Sequence, residues 1–270
     1  MLRQRLLTAA ILIPLVIGAI FFLPDAGFVA LLALFVLAGA WEWTRICGLR
    51  AAPARGLYLL IFALCLWLLR QPPAAWLHLV LGLALLGWAA AIPVLLAYAR
   101  GRDYLRDRRF VKLLIGFFLL LPPFVALAQL RADPRFGPAY VLLLLLLIWT
   151  ADSAAYFSGR RFGRRKLLPA VSPGKSWEGV AGALLATLAL GVAAAYYFAL
   201  PLAGFVLLAL MVTLVSILGD LSESLFKRQA GLKDSGRLLP GHGGVLDRID
   251  SLTSAAPLFL AGMLWITERA

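Results

Sequence analysis

Two carboxylate pairs stand 27 residues apart in the last quarter of this 270-residue chain: Asp220 with Glu223, and Asp247 with Asp250. On a helix the i, i+3 spacing puts both members of a pair on one face. The first pair directly follows an apolar run and the second directly precedes another. Oxygen ligands of this kind suit Mg²⁺, and the lack of clustered His or Cys argues against zinc. The same stretch holds Lys227, Arg228, Lys233, Arg237 and Arg248, with Gly236, Gly241, Gly243 and Gly244. Lys and Arg neutralise phosphate charge, and glycines let backbone amides come close to it. Together these residue types point to metal-assisted phosphoryl or nucleotidyl transfer. The plain alternative is a charged interfacial loop whose acids balance its bases. Spacing alone does not choose Asp220 and Asp247 over Glu223 or Asp250 as metal ligands.

A second basic stretch, residues 158–177, contains Ser172, Lys175 and Ser176. Lys175 and Ser176 either hold phosphate or cap the following helix, with Glu178 in its first turn. Asp152 is a carboxylate inside an apolar segment, which costs ~3 kcal/mol on insertion scales, so function is its default reading. Its bland reading is a helix-end acid paired with Arg160 or Arg161. His242 is a general acid for a departing leaving group or, more plainly, a phosphate contact or a shaper of the Gly-rich turn. Arg248, between two aspartates, either touches substrate or orients its neighbours. Glu42, flanked by Trp41 and Trp43 at the end of an apolar run, is read as interfacial.

The elements that must position these groups are transmembrane helices. The chain is 63% hydrophobic and only 14% charged, against about 25% charged in a soluble domain. Nine apolar segments can be marked, at 6–23, 27–44, 56–70, 75–98, 113–130, 138–157, 178–200, 202–219 and 251–267. Without water in the hydrocarbon core each must satisfy its own backbone, which means helix. The third is short: Gly56 to Leu69 is 14 residues, roughly 21 Å of helix at about 1.5 Å per residue. It either turns back as a half-span or extends past Arg70. The basic start and apolar run at the N-terminus imitate a signal peptide but lack a convincing cleavage site, so a retained first helix is expected.

Alternate loops carry 22 of the 26 Lys and Arg residues, while the other set holds only Arg70, Arg131, Arg135 and Arg269. This bias puts the N-terminus in the cytoplasm and the C-terminus outside, with the loops at 158–177 and 220–250 on the cytoplasmic face. The basic residues from Arg100 to Lys112 read as a topology determinant. A net charge of +13 distributed in this way does not describe a nucleic-acid binder. Cys47 and Cys65 lie at or within apolar segments and form neither a disulfide scaffold nor a metal pair. The expected fold is all-α: a polytopic integral membrane helical bundle of about nine spans forming one membrane domain, 1–270. Residues 1–135 carry little functional signal.

The run Ser224-Leu-Phe-Lys227-Arg228, then Lys233-Asp234, Gly236, Leu239-Pro240, His242-Gly243-Gly244, Asp247-Arg248 and Asp250 resembles the signature of the phosphatidate cytidylyltransferase family, with every position matched. Ser172-Pro173-Gly174-Lys175-Ser176-Trp177-Glu178-Gly179 and Asp152-Ser153-Ala-Ala-Tyr156 resemble it less specifically, and the resemblance, which extends over 145–255, implies that this is the catalytic half. The resemblance implies a helical, dimeric inner-membrane enzyme that joins CTP to phosphatidic acid, with Mg²⁺ required and a second, monovalent cation left open. It places the metal on Asp220 and Asp247, with Glu223 and Asp250 as weaker candidates. Lys227, Arg228 and His242 join the two aspartates as catalytic candidates. Asp152, Ser172, Lys175, Ser176, Ser224, Lys233, Asp234, Gly243, Gly244, Arg248 and Asp250 are the substrate-binding candidates. Expected partners are CTP, phosphatidic acid, membrane lipid and a second copy of the chain.

Two competing classes fit less well. A CDP-alcohol phosphotransferase would show an Asp-Gly-x-x-Ala-Arg pattern, which is absent. A transporter for an anionic substrate would show paired repeats with broken helices, and none is visible.

Overall fold

The computed structural model describes all residues except 1, 135–136, 237, 239–242 and 268–270, and for residues 2–9 and 11 the backbone alone. Among the described residues nine helices and one small hairpin run in the order α1 (Leu2–Phe22), α2 (Asp25–Ile46), α3 (Ala52–Leu69), α4 (Ala74–Ala99), α5 (Arg109–Arg131), α6 (Gly137–Phe162), β1 (Lys166–Leu168), β2 (Ser172–Ser176), α7 (Trp177–Tyr197), α8 (Leu202–Gln229) and α9 (Leu246–Thr267). Eight of them, α2 to α9, are long and apolar enough to cross a membrane. The polytopic helical bundle expected from the apolar runs is what the chain forms.

Three details differ from the sequence reading. The short third segment gains its length at the other end: α3 starts at Ala52, so its 18 residues reach about 27 Å at 1.5 Å per residue. Arg55 is thereby drawn into the helix and lies over the Trp41 ring at 5.2 Å. The stretch 158–177 is not a plain loop. It carries an antiparallel pair, with Lys166 opposite Ser176 and Leu168 opposite Ser172, pinned by the fully buried Val171. Nor is 220–250 mostly loop: α8 continues to Gln229 and α9 begins at Leu246. Both carboxylate pairs therefore sit on helix, as their i, i+3 spacing allows.

The described core has two parts. One, built on Leu144, Leu147, Phe205 and Phe259, fills the bundle between α6, α8 and α9. The other, built on Trp43, Phe62, Leu120, Phe124 and Leu225, joins α2 to α5 with the far end of α8, at the end of the bundle that carries the basic loops. Trp43 fixes this second part. It is fully buried, donates from Nε1 to the Lys112 carbonyl at 2.8 Å and meets Phe226 edge-on at 5.0 Å. Cys47 ends α2 as a free, buried thiol. Burial pushes it up to about 12, with Lys112 and Arg109 pulling the other way, so it is an inert core group.

Close contact of α8 with α9 sets up the chemistry. A Cβ on Gly219 would stand 2.6 Å from the Asp250 carbonyl oxygen, and Ser254 donates across to the Val215 carbonyl at 2.7 Å. Small residues permit this approach, as is general between membrane helices. It brings the last turns of α8 against the first turns of α9.

Candidate active site

Asp247 lies in the first turn of α9 and its carboxylate is fully engaged. Oδ1 faces the Lys227 ammonium at 2.6 Å. Oδ2 accepts from the Ser235 amide at 2.9 Å, the Ser235 hydroxyl at 2.9 Å and the Gly244 amide at 2.8 Å. Lys227 also meets Glu223 at 3.1 Å. Glu223 is 4% exposed, Lys227 7%, and among the described residues no donor besides Lys227 reaches a Glu223 oxygen. Its neighbours besides Lys227 are the like charges of Asp250 and Asp247. This is an ion cluster shut away from water, where a lone charge would be costly and pairing is obligatory.

Asp220, two turns earlier on α8, is placed differently. Its Oδ2 meets Lys175 of β2 at 2.7 Å, with the two side chains 28% and 24% exposed. Ser224 donates to Oδ1 at 3.3 Å. Asp250 lies within electrostatic reach of Asp220, Lys227 and Lys175, and accepts from the Ser251 amide at 2.7 Å. Asp152 of α6 feels Lys175, Asp220 and Arg248. Its partners are thus the site residues, and the bland pairing with Arg160 or Arg161 is not formed: Arg160 reaches the Tyr156 hydroxyl at 3.2 Å and Arg161 lies over Phe162.

The structure thus draws Asp152, Lys175, Asp220, Ser224, Glu223, Lys227, Asp247, Arg248 and Asp250 into one electrostatic neighbourhood at the basic end. Asp220 and Asp247 do not touch the same group there; each holds its own lysine. Lys233 and Asp234 are exposed on the α8–α9 loop. Ser172 opens β2. Of the two roles open to Ser176, the cap is formed: it is buried and accepts from the Gly179 amide at 3.2 Å. Arg228 is tied to the Val171 and Leu232 carbonyls, which fastens the hairpin and the loop to α8. Gly243 turns the chain at φ +85°, where a side chain is strained, and a Cβ there would also stand 2.8 Å from Asp247 Oδ2. His242 lies outside the described residues.

Two residues of this site were not anticipated. Glu42 is not interfacial. It is 3% exposed and reaches into the α8–α9 loop, where Oε1 accepts from the Val245 amide at 3.0 Å. Its Oε2 accepts from the Leu246 amide at 2.8 Å and the Ser235 hydroxyl at 2.9 Å. Trp43 beside it is likewise buried, and only Trp41, 45% exposed, suits an interface. The reason is that the last turn of α2 packs on α5 and α9 and does not emerge from the bundle. The second is Ser235, fully buried, whose hydroxyl lies on both Glu42 and Asp247. The signal for Glu42 was available: an acid in the final turn of an apolar run meets the insertion-cost argument that singled out Asp152. The glycines have a partly different use from the one expected. Gly236 and Gly244 enclose the Glu42 carboxylate, with no room for a Cβ on either.

Among the described residues no group of three or more His, Cys, Asp or Glu is arranged to hold a metal. The donor chemistry nonetheless fits a hard cation. On Asp220 and on Asp247 alike, one carboxylate oxygen carries a lysine ammonium within 2.7 Å, so each already presents an oxygen to positive charge.

A family profile described as Cytidylyltransferase family matches residues 3–266. The chain is 45% identical over 272 residues to the phosphatidate cytidylyltransferase of Pseudomonas aeruginosa, covering 98% of this chain and 97% of that one. It is 39% identical over 281 residues to the enzyme of that name from Haemophilus influenzae, covering 96% and 97% of the two chains. A match to the Brucella suis enzyme reaches 48% over 143 residues, about half of each chain at 52% and 53%.

Proposed function

This chain belongs to the cytidylyltransferase family, and we propose that it transfers the cytidylyl group of CTP to phosphatidic acid, giving CDP-diacylglycerol and pyrophosphate. The observation that carries the reading is the near-full-length identity to enzymes named for this reaction. The charge-dense cluster where α8 and α9 meet is the support from the structure.

The reaction is an attack by one polyanion on another. A phosphate oxygen of phosphatidic acid, already anionic near neutral pH, bonds to the α-phosphorus of CTP. The bond from that phosphorus to the oxygen bridging to the β-phosphate breaks, and pyrophosphate leaves. No strong base is required; charge neutralisation and in-line placement supply the catalysis. Lys233 and Arg248 are exposed cations able to meet phosphates, and Lys175 shares Asp220 with the solvent-facing side. Lys227, buried between two carboxylates, holds Asp247 in place. Asp220 and Asp247 would hold Mg²⁺, which would neutralise part of the triphosphate charge.

In this reading the basic end faces the cytoplasm, following the Lys/Arg bias. The enzyme resides in the cell's inner membrane and works as a homodimer. The diacyl chains of the substrate stay among lipid-level helices while its headgroup meets CTP at the surface. Purified protein given CTP, phosphatidic acid and Mg²⁺ is expected to release pyrophosphate and form CDP-diacylglycerol, with purine triphosphates used poorly. Absence of both products in that assay would overturn the reading. Turnover unchanged by excess EDTA would remove the metal from it.

A further inference from the structure

Resting on the cytidylyltransferase reading, we propose that Glu42 is a positioning residue for the reaction: from α2 it caps the start of α9 and, through the Ser235 hydroxyl, fixes the Asp247 carboxylate against Lys227.

The need for a cap comes from the sequence. The first amides of a helix have no partner within it. They are usually met by a Ser, Thr, Asp or Asn just before the first turn. Here α9 begins at Leu246, so the preceding position is Val245, which has no acceptor. Glu42 supplies one from 204 residues away, taking the Leu246 amide at 2.8 Å and the Val245 amide at 3.0 Å. The positive end of the helix dipole favours a carboxylate there. The packing is specific to that group, since Gly236 and Gly244 leave their Cβ space to it.

The cap has a second consequence. Ser235 lies 2.9 Å from Glu42 Oε2 and 2.9 Å from Asp247 Oδ2, so its single hydroxyl proton serves both carboxylates. Its amide binds the same Asp247 oxygen at 2.9 Å. Ser235 is therefore held from both sides, and the face of Asp247 that it occupies cannot rotate while Glu42 stays in place. What remains for Asp247 is Oδ1, directed at Lys227. Orienting partners of this sort, one bond behind the reacting groups, are worth about 10- to 100-fold in activity where they have been removed from metal-dependent sites.

The test uses Glu42→Gln, Glu42→Asp, Ser235→Ala and the double variant Glu42→Gln/Ser235→Ala in purified, full-length protein. Each is assayed for kcat, for KM of CTP and for the Mg²⁺ concentration giving half-maximal rate. Exchange of the Val245 and Leu246 amides is followed by hydrogen–deuterium exchange. Gln keeps the shape but turns an amide donor toward N–H groups that need an acceptor. Glu42→Gln should lower kcat by about 10- to 100-fold, shift the Mg²⁺ requirement upward, leave KM for CTP within about threefold, and expose both amides. Glu42→Asp restores part of the rate. Ser235→Ala should lower kcat with the two amides still protected, and the double variant should be no worse than Glu42→Gln. Wild-type kcat in folded Glu42→Gln overturns the proposal, as does an additive double variant. A loss of rate in proportion to folded protein, with the Mg²⁺ requirement unmoved, overturns it too. Should Glu42→Gln fail to fold, Ser235→Ala, which leaves the cap intact, decides the matter. If wild type itself makes no CDP-diacylglycerol, the underlying reading has failed, and the exchange arm still decides whether Glu42 holds α9.

Discussion

The site has an inner and an outer half, and they are built on different physics. The inner half consists of Glu42, Glu223, Lys227, Ser235 and Asp247, drawn from α2, α8, α9 and the loop before α9. Its charged side chains are almost closed off: Glu223 is 4% exposed and Asp247 7%. The outer half consists of Asp152, Lys175, Asp220 and Arg248, drawn from α6, β2, α8 and α9. Its central pair is about a quarter exposed. Buried charges must be paired and hydrogen-bonded or the fold suffers, whereas half-exposed ones contribute little to stability and stay exchangeable. The inner half is therefore a frame and the outer half is where a charged substrate can compete for contacts. One aspartate on each side, Asp247 and Asp220, makes the contrast measurable.

Asp247→Asn tests the frame and carries the largest expected effect. Asn keeps one acceptor but turns an NH₂ either toward Lys227 or toward the Ser235 and Gly244 amides, each of which is a donor. Turnover should fall by at least about a hundredfold, the scale for losing one charge-stabilising contact of ~3 kcal/mol. The melting temperature should fall with it, because Lys227 loses its closest anion. A variant that loses turnover at an unchanged melting temperature would place Asp247 in the outer half instead.

Asp220→Asn should separate the two properties. Its carboxylate has one lysine and one weak serine contact, so removing the charge frees Lys175 into solvent at small cost. Turnover should again fall by about a hundredfold if this carboxylate meets the metal, while the melting temperature and yield match wild type. The double variant with Asp247→Asn should be no worse than either alone, as for groups that act as a unit. Near-wild-type turnover at saturating Mg²⁺ would move the metal toward Asp250, which sits within reach of Asp220.

The contrast also explains what the sequence could reveal. The spans were legible because apolar runs and Lys/Arg bias are local patterns, and the site's acids were legible because their i, i+3 spacing marks one helix face. The outer half was visible for the same reason: Asp152 interrupts an apolar run, and Lys175 lies in a basic loop. The inner half was hidden in part. Glu42 meets Ser235 and Leu246 across 193 and 204 residues, and no local pattern encodes a pairing that only the packing of α2 against α9 creates. The hairpin at 166–176 escaped notice because Ser172-Pro-Gly-Lys-Ser has no two-residue alternation of apolar and polar side chains. Its pairing is fixed instead by Val171 in the core and by Glu178, which accepts from the Arg164 and Arg165 amides.

Glu223 gives the smallest and sharpest test, because burial there works against the charge. It lies in the frame, yet among the described residues no donor besides Lys227 reaches its oxygens, and Asp250 and Asp247 repel it. Only Lys227, at 3.1 Å, favours its ionised form, and Lys227 keeps Asp247 at 2.6 Å without it. Removing one partner of a buried pair is destabilising when it strands the other charge, but here Lys227 keeps Asp247, so what Glu223→Gln chiefly removes is a desolvated carboxylate repelled by Asp250 and Asp247. Glu223→Gln should therefore melt at or above the wild-type temperature and lose less than about tenfold in turnover, since the contact removed is one bond behind the reacting groups. Thermal unfolding beside a pyrophosphate-release assay reads both. A marked drop in melting temperature would show that the Glu223–Lys227 pair, rather than the cage around Asp247, holds α8 to α9. The frame would then have its centre on α8 instead of at the start of α9, and the role argued for Glu42 would shrink accordingly.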